Sequence, residues 1–341
     1  RDQRGIEASM KYFVIGALSS AILLFGLAYM YGLTGSINFE SISSSLSKNP
    51  SALLGIIFII AGFGFKMALV PFHMWAIDVY DGAPHVITAL LSSGSKKMAF
   101  IAAFKVIIVG AIALKIDWYI GFAILSVATM TLGNVVALIQ KSVKRMLAYS
   151  SVAHAGYIGM VFVIVGWSTA KGVSEVAIAG GILHVFSHAL MNAGAFIVCA
   201  IVAAYITSKS GEDSIEKYAG LGKVAPITAI LMAILLFSLG GVPPTFGFYS
   251  KFVIFLSAIQ AGLLWLAIIG VLNSALSLYY YARVVMYMYW REPTGERIRE
   301  PIFYLIPVGI ATVLVLFFGV YPEPLYHWAL EGAKILLGGL P

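Results

Sequence analysis

Apolar residues run along this chain in long unbroken blocks, separated by short polar stretches. Nine blocks stand out, near 11–33, 52–72, 86–114, 118–140, 147–167, 175–206, 224–262, 263–289 and 302–321. About 20 apolar residues in a helix cross a bilayer. The blocks are continuous rather than alternating in period two, which predicts helices and argues against a β-barrel. The pattern therefore predicts an all-α polytopic membrane protein with about nine transmembrane helices visible. Two blocks differ from the rest. The second holds FGFKMALVPFHMW, from Phe63 to Trp75, and is interrupted at Pro71. The seventh is too long for one straight span and carries Gly240, Gly241, Pro243 and Pro244 in its middle. Proline removes a backbone donor and clashes with the preceding turn, so both spans are predicted to be broken helices. Backbone groups freed at membrane depth are tolerated only inside protein or beside water.

Composition sharpens the class. Of 341 residues, 60% are hydrophobic and 11% charged, against about 25% charged in an ordinary soluble domain; the mean hydropathy is +0.94. The formal net charge of +7 could suggest nucleic acid, but its distribution points to a membrane. With the first span running outward, thirteen basic residues fall in cytoplasmic loops and four in outer loops. That asymmetry predicts a multi-pass cell-membrane protein with a cytoplasmic first residue and an external C-terminus. Cys199, the single cysteine, lies in an apolar block. Disulfides, iron–sulfur clusters and zinc–thiolate sites within the chain are thereby excluded. The chain opens Arg-Asp-Gln-Arg, without methionine or signal peptide, and is expected to be the C-terminal part of a longer protein.

Five lysines fall inside spans: Lys66, Lys96, Lys97, Lys105 and Lys251, while no Asp or Glu lies deep in any span. A lysine at the bilayer centre costs about 2.5–3.5 kcal/mol on insertion scales. Snorkelling to the headgroups accounts for Lys105 as well as a functional role does. Lys96 and Lys97 point about 100° apart on one helix and so cannot share a seam equally; pattern alone favours Lys96 for the interior only weakly. Lys66 and Lys251 each sit beside a helix break, where burial and hydrated backbone ends can tune a proton-carrying group.

His184 and His188, in ILHVFSHAL, are four apart and share a helix face. A metal pair, a hydrogen-bonded structural pair and a proton relay are all open to that spacing. Metal is disfavoured, because a third ligand is missing nearby in sequence. A relay suits a side chain that titrates near neutrality. His154 sits near a helix end, where a structural role is at least as good an explanation. His73 and His85 flank the first break and stay unassigned; the aromatics and methionines read as packing or lipid-facing residues.

The two broken spans lie five crossings apart, so they cross in opposite directions. Paired broken helices in opposed halves point to inverted-repeat transporters. On that reading 1–117 is the C-terminal part of a first repeat, 118–289 a second inverted repeat, and 290–341 a final transmembrane helix and tail.

The stretches IEASMKYF, GFGFKMALVPFHMWAIDVYDGAPHVITALLSSGSKK, KRMLAYSSVAHAGY and GVPPTFGFYSKF resemble the antiporter-like membrane subunits of respiratory complex I. The wording PFHMW…DVYDGAP is most similar to the N type, and the resemblance covers essentially the whole chain. It implies two inverted five-helix units with a hydrated polar axis in the membrane plane. Lys66, Lys96 and Lys251 then match the family's lysines, which places the role on Lys96 rather than Lys97. His184 and His188 fall where the L and M types carry central histidines. Two departures are visible: the family's glutamate on an earlier helix is absent, and HALMNA, with Asn192, stands where other types read HALFKA.

The resemblance implies a proton-translocating subunit of a complex I-like, NADH:quinone-type oxidoreductase. It would couple reduction of a quinone-like carrier, bound elsewhere in the complex, to proton movement through Lys66, Lys96, His184, His188 and Lys251. No redox cofactor is expected in this chain; flavin and iron–sulfur clusters are expected in partner subunits. The expected partners are other membrane subunits and the lipid bilayer, with no nucleic acid. Two alternatives stand beside it, a subunit of a multisubunit cation/proton antiporter and a non-pumping assembly scaffold.

Overall fold

The computed structural model describes residues 3–205, 213–293 and 298–338. Arg1, Lys209 and Arg297, which entered the count of basic loops, lie outside the described residues. Helix α1 (Gln3–Thr34) is the first crossing, and a short α2 (Phe39–Ser45) follows it. The Asn38 side chain caps α2 by accepting from the N–H groups of Glu40 and Ser41. Helix α3 (Pro50–Met67) starts under an Asn49 cap with proline in its first turn, stops, and resumes as α4 (Met74–Gly82). Residues 85–110 form one rod: α5 (His85–Leu90), a π segment Leu91–Ser95, α6 (Lys96–Ala103), and a second π segment Phe104–Gly110. A 3-10 turn (Ile112–Leu114) leads to α7 (Lys115–Leu138), α8 (Val143–Trp167) and α9 (Lys171–Tyr205). A 3-10 turn at Ile215–Tyr218 and a short α10 (Leu221–Val224) precede the second broken pair, α11 (Pro226–Gly240) and α12 (Phe246–Gln260). The described chain closes with α13 (Leu264–Trp290), α14 (Ile302–Val320) and α15 (Glu323–Gly338).

Among the described residues, seven helices are long and apolar enough to cross a membrane by themselves. The 85–110 rod and the α11–α12 pair bring the crossings among the described residues to nine. One boundary moves. The second crossing does not end near residue 72 but continues through α4, so Asp78 and Asp81 sit on its last turns rather than in a loop. Packing of α4 against α1 and α8 carries the helix on past the proline, which breaks the span without ending it.

Both breaks are built alike. Ala68 and Gly241 take left-handed backbone angles, with φ of 55° and 84°. After α3, Leu69 N–H donates to Gly64 O at 2.8 Å and Ala68 N–H to Phe65 O at 2.9 Å. After α11, Val242 N–H donates to Phe237 O and Gly241 N–H to Ser238 O, each at 3.0 Å. This is the Schellman closure of a helix C-terminus, twice. Further backbone groups at the breaks find side-chain partners inside the protein. Val70 N–H donates to Thr129 Oγ1 at 2.9 Å, Trp75 Nε1 to Phe65 O at 2.8 Å, and Gly247 N–H to Ser238 Oγ at 3.1 Å.

Helix α8 is buried on almost every side and forms the centre of the bundle. It packs closely on α7 because both present small residues. A Cβ added at Gly156 would lie 2.5 Å from the Met130 backbone nitrogen, the kind of approach that joins membrane helices. Around this centre, α9 touches α5, α8, α11, α12, α14 and α15. The outer helices α1, α13 and α14 expose large apolar residues such as Phe13, Leu272 and Phe303, a surface suited to lipid or to neighbouring membrane helices.

Charged pairs tie the helix ends. At one face of the bundle Lys11 meets Asp78 at 2.7 Å, Arg145 meets Asp81 at 3.0 Å and His85 meets Asp213 at 2.6 Å. At the opposite face Lys48 meets Asp117 at 2.6 Å. The first face holds a cleft of about 570 Å³ lined by Glu7, Asp78, Asp81, Lys141, Arg145 and Asp213. Burial pushes the Asp213 carboxyl up, but the hydrogen bond and charge of His85, with Lys144 and Lys217, outweigh it and hold Asp213 below the usual aspartate range.

A buried lysine–histidine axis

Lys251 lies on the second turn of α12, folded back against the end of α11. Its Nζ donates to Leu239 O at 2.8 Å and to Ser274 Oγ at 3.0 Å, and Ser274 Oγ in turn donates to Gly240 O at 3.2 Å. The Tyr157 ring covers the ammonium at 4.9 Å. A buried lysine with no carboxylate partner among the described residues is thus held by the negative end of a half-helix and by an aromatic face. The break creates this site, since an unbroken helix would leave no free carbonyls there. Lys251 also borders an apolar groove of about 440 Å³ between α12 and α13, lined by Phe248, Phe252 and Leu278 among others.

Beside Lys251 on α12, Ser250 opens a file of hydrogen-bonded groups. Ser250 Oγ lies 2.9 Å from His184 Nδ1 and 2.9 Å from Ser187 Oγ. His184 Nε2 lies 3.0 Å from His154 Nδ1, with the two rings stacked 5.1 Å apart. The ring of His188 sits 4.4 Å from that of His154, and its Nδ1 is hydrogen-bonded to Lys97 Nζ. All three histidines are buried. Five of their six ring nitrogens lie against one another or against neighbouring side chains, and among the described residues no group of three or more His, Cys, Asp or Glu is placed to hold a metal ion.

Lys96 and Lys97 are both buried, 1% and 5% exposed. They do not share a seam, as their 100° offset requires, but the weak preference for Lys96 as the interior one is not reflected in their burial. The rod carrying them is wrapped by α8 on one side and α9 on the other, so two directions 100° apart are both interior. Lys96 Nζ donates to Ser151 O at 2.7 Å and Oγ at 3.2 Å on α8, while Lys97 reaches α9. The π segments on either side of α6 widen the turns there; such segments recur at functional sites. Lys66 stands apart. It is half-buried in the last turn of α3, donates to Ser20 Oγ at 3.1 Å, and borders a cavity of about 670 Å³ between α1, α3 and α6. Lys105 is exposed, with Nζ 5.9 Å from the Phe39 ring centre.

Sequence reasoning missed several members of this axis. His154 joins the other two histidines instead of sitting at a helix end. Tyr281 Oη bonds Ser150 Oγ and lies 3.4 Å from His154 Nε2. Tyr157 Oη accepts from Asn134 Nδ2 at 3.1 Å, and Asn134 also bonds Asn273 at 3.2 Å and Tyr280 at 2.9 Å. These tyrosines belong to a polar network joining α7, α8 and α13, not to general packing. The available signal was the presence of Asn134 and Asn273 inside apolar spans, since an amide there must find partners.

Comparison with known proteins fits this architecture. The family described as NADH:quinone oxidoreductase/Mrp antiporter, transmembrane, matches residues 1–277. The chain belongs to this family. It is 50% identical over 347 aligned positions to F(420)H(2) dehydrogenase subunit N of Methanosarcina mazei, covering 99% of this chain and 69% of that protein. It is 47% identical over 326 positions to NADH-quinone oxidoreductase subunit N 1 of Thermodesulfovibrio yellowstonii, covering 94% and 67%. Among solved structures, a chain of respiratory complex I from Thermus thermophilus with bound aureothin superposes with a TM-score of 0.77. It shares 31% identity and covers 96% of this chain and 70% of that one.

Proposed function

We propose that this chain is a proton-translocating membrane subunit of a complex I-like oxidoreductase, and that its route runs through Lys66, Lys96, His184, His188 and Lys251. The observation that carries the reading is the file of protonatable side chains across the bundle interior, from Lys97, next to Lys96 on α6, through His188, His154 and His184 to Ser250 beside Lys251. Buried ionisable groups at membrane depth are costly, and proton relays are a principal reason to keep them. Moving one charge against 100 mV requires about 2.3 kcal/mol, so the axis must change its proton affinity by at least that between two states. The half-helix ends at Lys66 and Lys251 are suited to this, because a small shift of a break makes or removes a carbonyl partner.

Electrons do not pass through this chain on this reading. Flavin and iron–sulfur clusters sit in partner subunits, which reduce a quinone-like carrier, with NADH or a reduced deazaflavin as donor. The 50% identity to an F(420)H(2) dehydrogenase subunit favours a redox-driven complex over a cation/proton antiporter. The functional units are 1–117 and 118–289, with 290–341 as a closing helix and tail. The face bearing the Asp78, Asp81 and Asp213 pairs is cytoplasmic, which leaves α15 outside; the excess of basic loop residues on that face supports this.

The test is redox-driven proton uptake in sealed vesicles bearing the intact complex, comparing wild type with Lys251→Ala, with electron transfer and assembly followed in parallel. A fall in protons moved per electron in an assembled complex supports the reading. Unchanged pumping in an assembled complex refutes it for Lys251 and favours a scaffold role.

A further inference from the structure

Two adjacent lysines enter the bundle interior from α6, and they engage different partners. Lys96 is held by a main-chain carbonyl and a hydroxyl of Ser151. Neither group takes up a proton near neutral pH, so these contacts anchor Lys96. Lys97 is hydrogen-bonded to His188 Nδ1, an imidazole nitrogen, which can accept and return a proton. Of the two, Lys97 is the one joined directly to the histidine cluster. We propose that Lys97 is a proton-relay residue, handing protons between the α6 lysine pair and the histidines. The proposal rests on the proton-translocating reading above and adds a residue to its route.

The step balances simply. The Lys97 ammonium gives its proton to His188 Nδ1 and becomes a neutral amine, while His188 becomes an imidazolium with both nitrogens protonated. The proton then leaves from Nε2, and recharging the neutral amine from Lys96, the adjacent ionisable group, requires Lys96 to leave its Ser151 contacts. His188 Nε2 is buried and has no hydrogen-bond partner, and one turn further along α9 both side-chain polar atoms of Asn192 are buried and unpartnered as well. The relay is therefore joined on the Lys97 side of the imidazole and open on the other. The ring of His154, 4.4 Å away, is the next group that can receive the proton, and a turn of the His188 ring closes the gap. Transfer then needs a side-chain movement at His188, which gives the route a gate. The titratable groups around the Lys97–His188 pair are Lys96 on the same helix, His154 on α8 and His184 on α9.

The experiment compares Lys97→Arg, Lys97→Met and Lys251→Ala in the intact complex in sealed vesicles, reading protons taken up per electron transferred. Arginine keeps the charge and the donor but does not release its proton in proteins. The expected result is that Lys97→Arg and Lys97→Met both fall to the level of Lys251→Ala while electron transfer through the complex persists. Full pumping in assembled Lys97→Arg overturns the proposal, because charge and packing would then be all that the site requires. If Lys97→Arg does not assemble, Lys97→His and His188→Gln decide. Pumping retained in the first and lost in the second supports a relay, and pumping retained in His188→Gln overturns it. If Lys251→Ala itself pumps normally, the failure belongs to the general reading rather than to Lys97.

Discussion

Replacing Gly247 by alanine should disable the second break without touching a titratable group. Gly247 is in the first turn of α12, where that helix passes the end of α11. A Cβ added there would lie 1.9 Å from Ser238 O and 2.9 Å from Ser238 Oγ, about 1.5 Å inside ordinary van der Waals contact. The obstacle is backbone, so no side-chain rotation relieves it. Overpacking of this kind costs about 1–3 kcal/mol. Pushing the halves apart also breaks the Gly247 N–H to Ser238 Oγ bond, worth about 0.5–1.5 kcal/mol. The same movement draws Lys251 Nζ, one turn further along α12, away from Leu239 O, which it now meets at 2.8 Å. A misplacement of about 1 Å at a reacting group can cost on the order of a hundredfold in rate. The assay pairs electron transfer with dye-monitored proton uptake in vesicles, plus the melting temperature of the purified complex. Gly309→Ala serves as control, because a Cβ there meets nothing within 4 Å. Gly247→Ala should lower the melting temperature and the protons moved per electron, and the control should change neither. A Gly247→Ala complex that melts and pumps like wild type would show that the tight contact does not set the position of Lys251.

Two further outcomes follow from other contacts. Asn134→Leu strips partners from Tyr157, Asn273 and Tyr280 at once and should cost about 1–2 kcal/mol, read as a lower melting temperature in detergent; an unchanged value would mean the network relaxes without loss. Asp213, held below the ordinary carboxylate range by His85, Lys144 and Lys217 against the opposing effect of burial, contributes stability above the unfolded aspartate pKa of about 3.9. That contribution is lost as pH falls through the lower folded value. Asp213→Asn should abolish this acid-side dependence of hydrogen-exchange protection at Val143, whose N–H donates to Asp213 O at 2.9 Å.

The sequence alone determined the solvent, the number of crossings and the places where two of them break. Apolar length, proline and glycine act locally, through hydrophobic transfer and through the loss of a backbone donor, and so they are readable without a fold. Lys66, Lys96, Lys251, His184 and His188 were also visible, because a charge or an imidazole in an apolar block is conspicuous wherever it points. Partnership was not visible. That Lys97 is as buried as Lys96, that His154 stacks on His184, and that Tyr157 covers Lys251 depend on which helices surround α6 and α8, and helical period gives a direction without saying what lies there. The second crossing shows the same limit in small: Pro71 marks the break, but only packing of α4 against α1 and α8 carries the helix on to Gly82. Tertiary structure alone decides which buried polar groups meet. A buried polar group is costly when left unpaired, and which partners on other helices it can reach is set by the packing of the whole bundle.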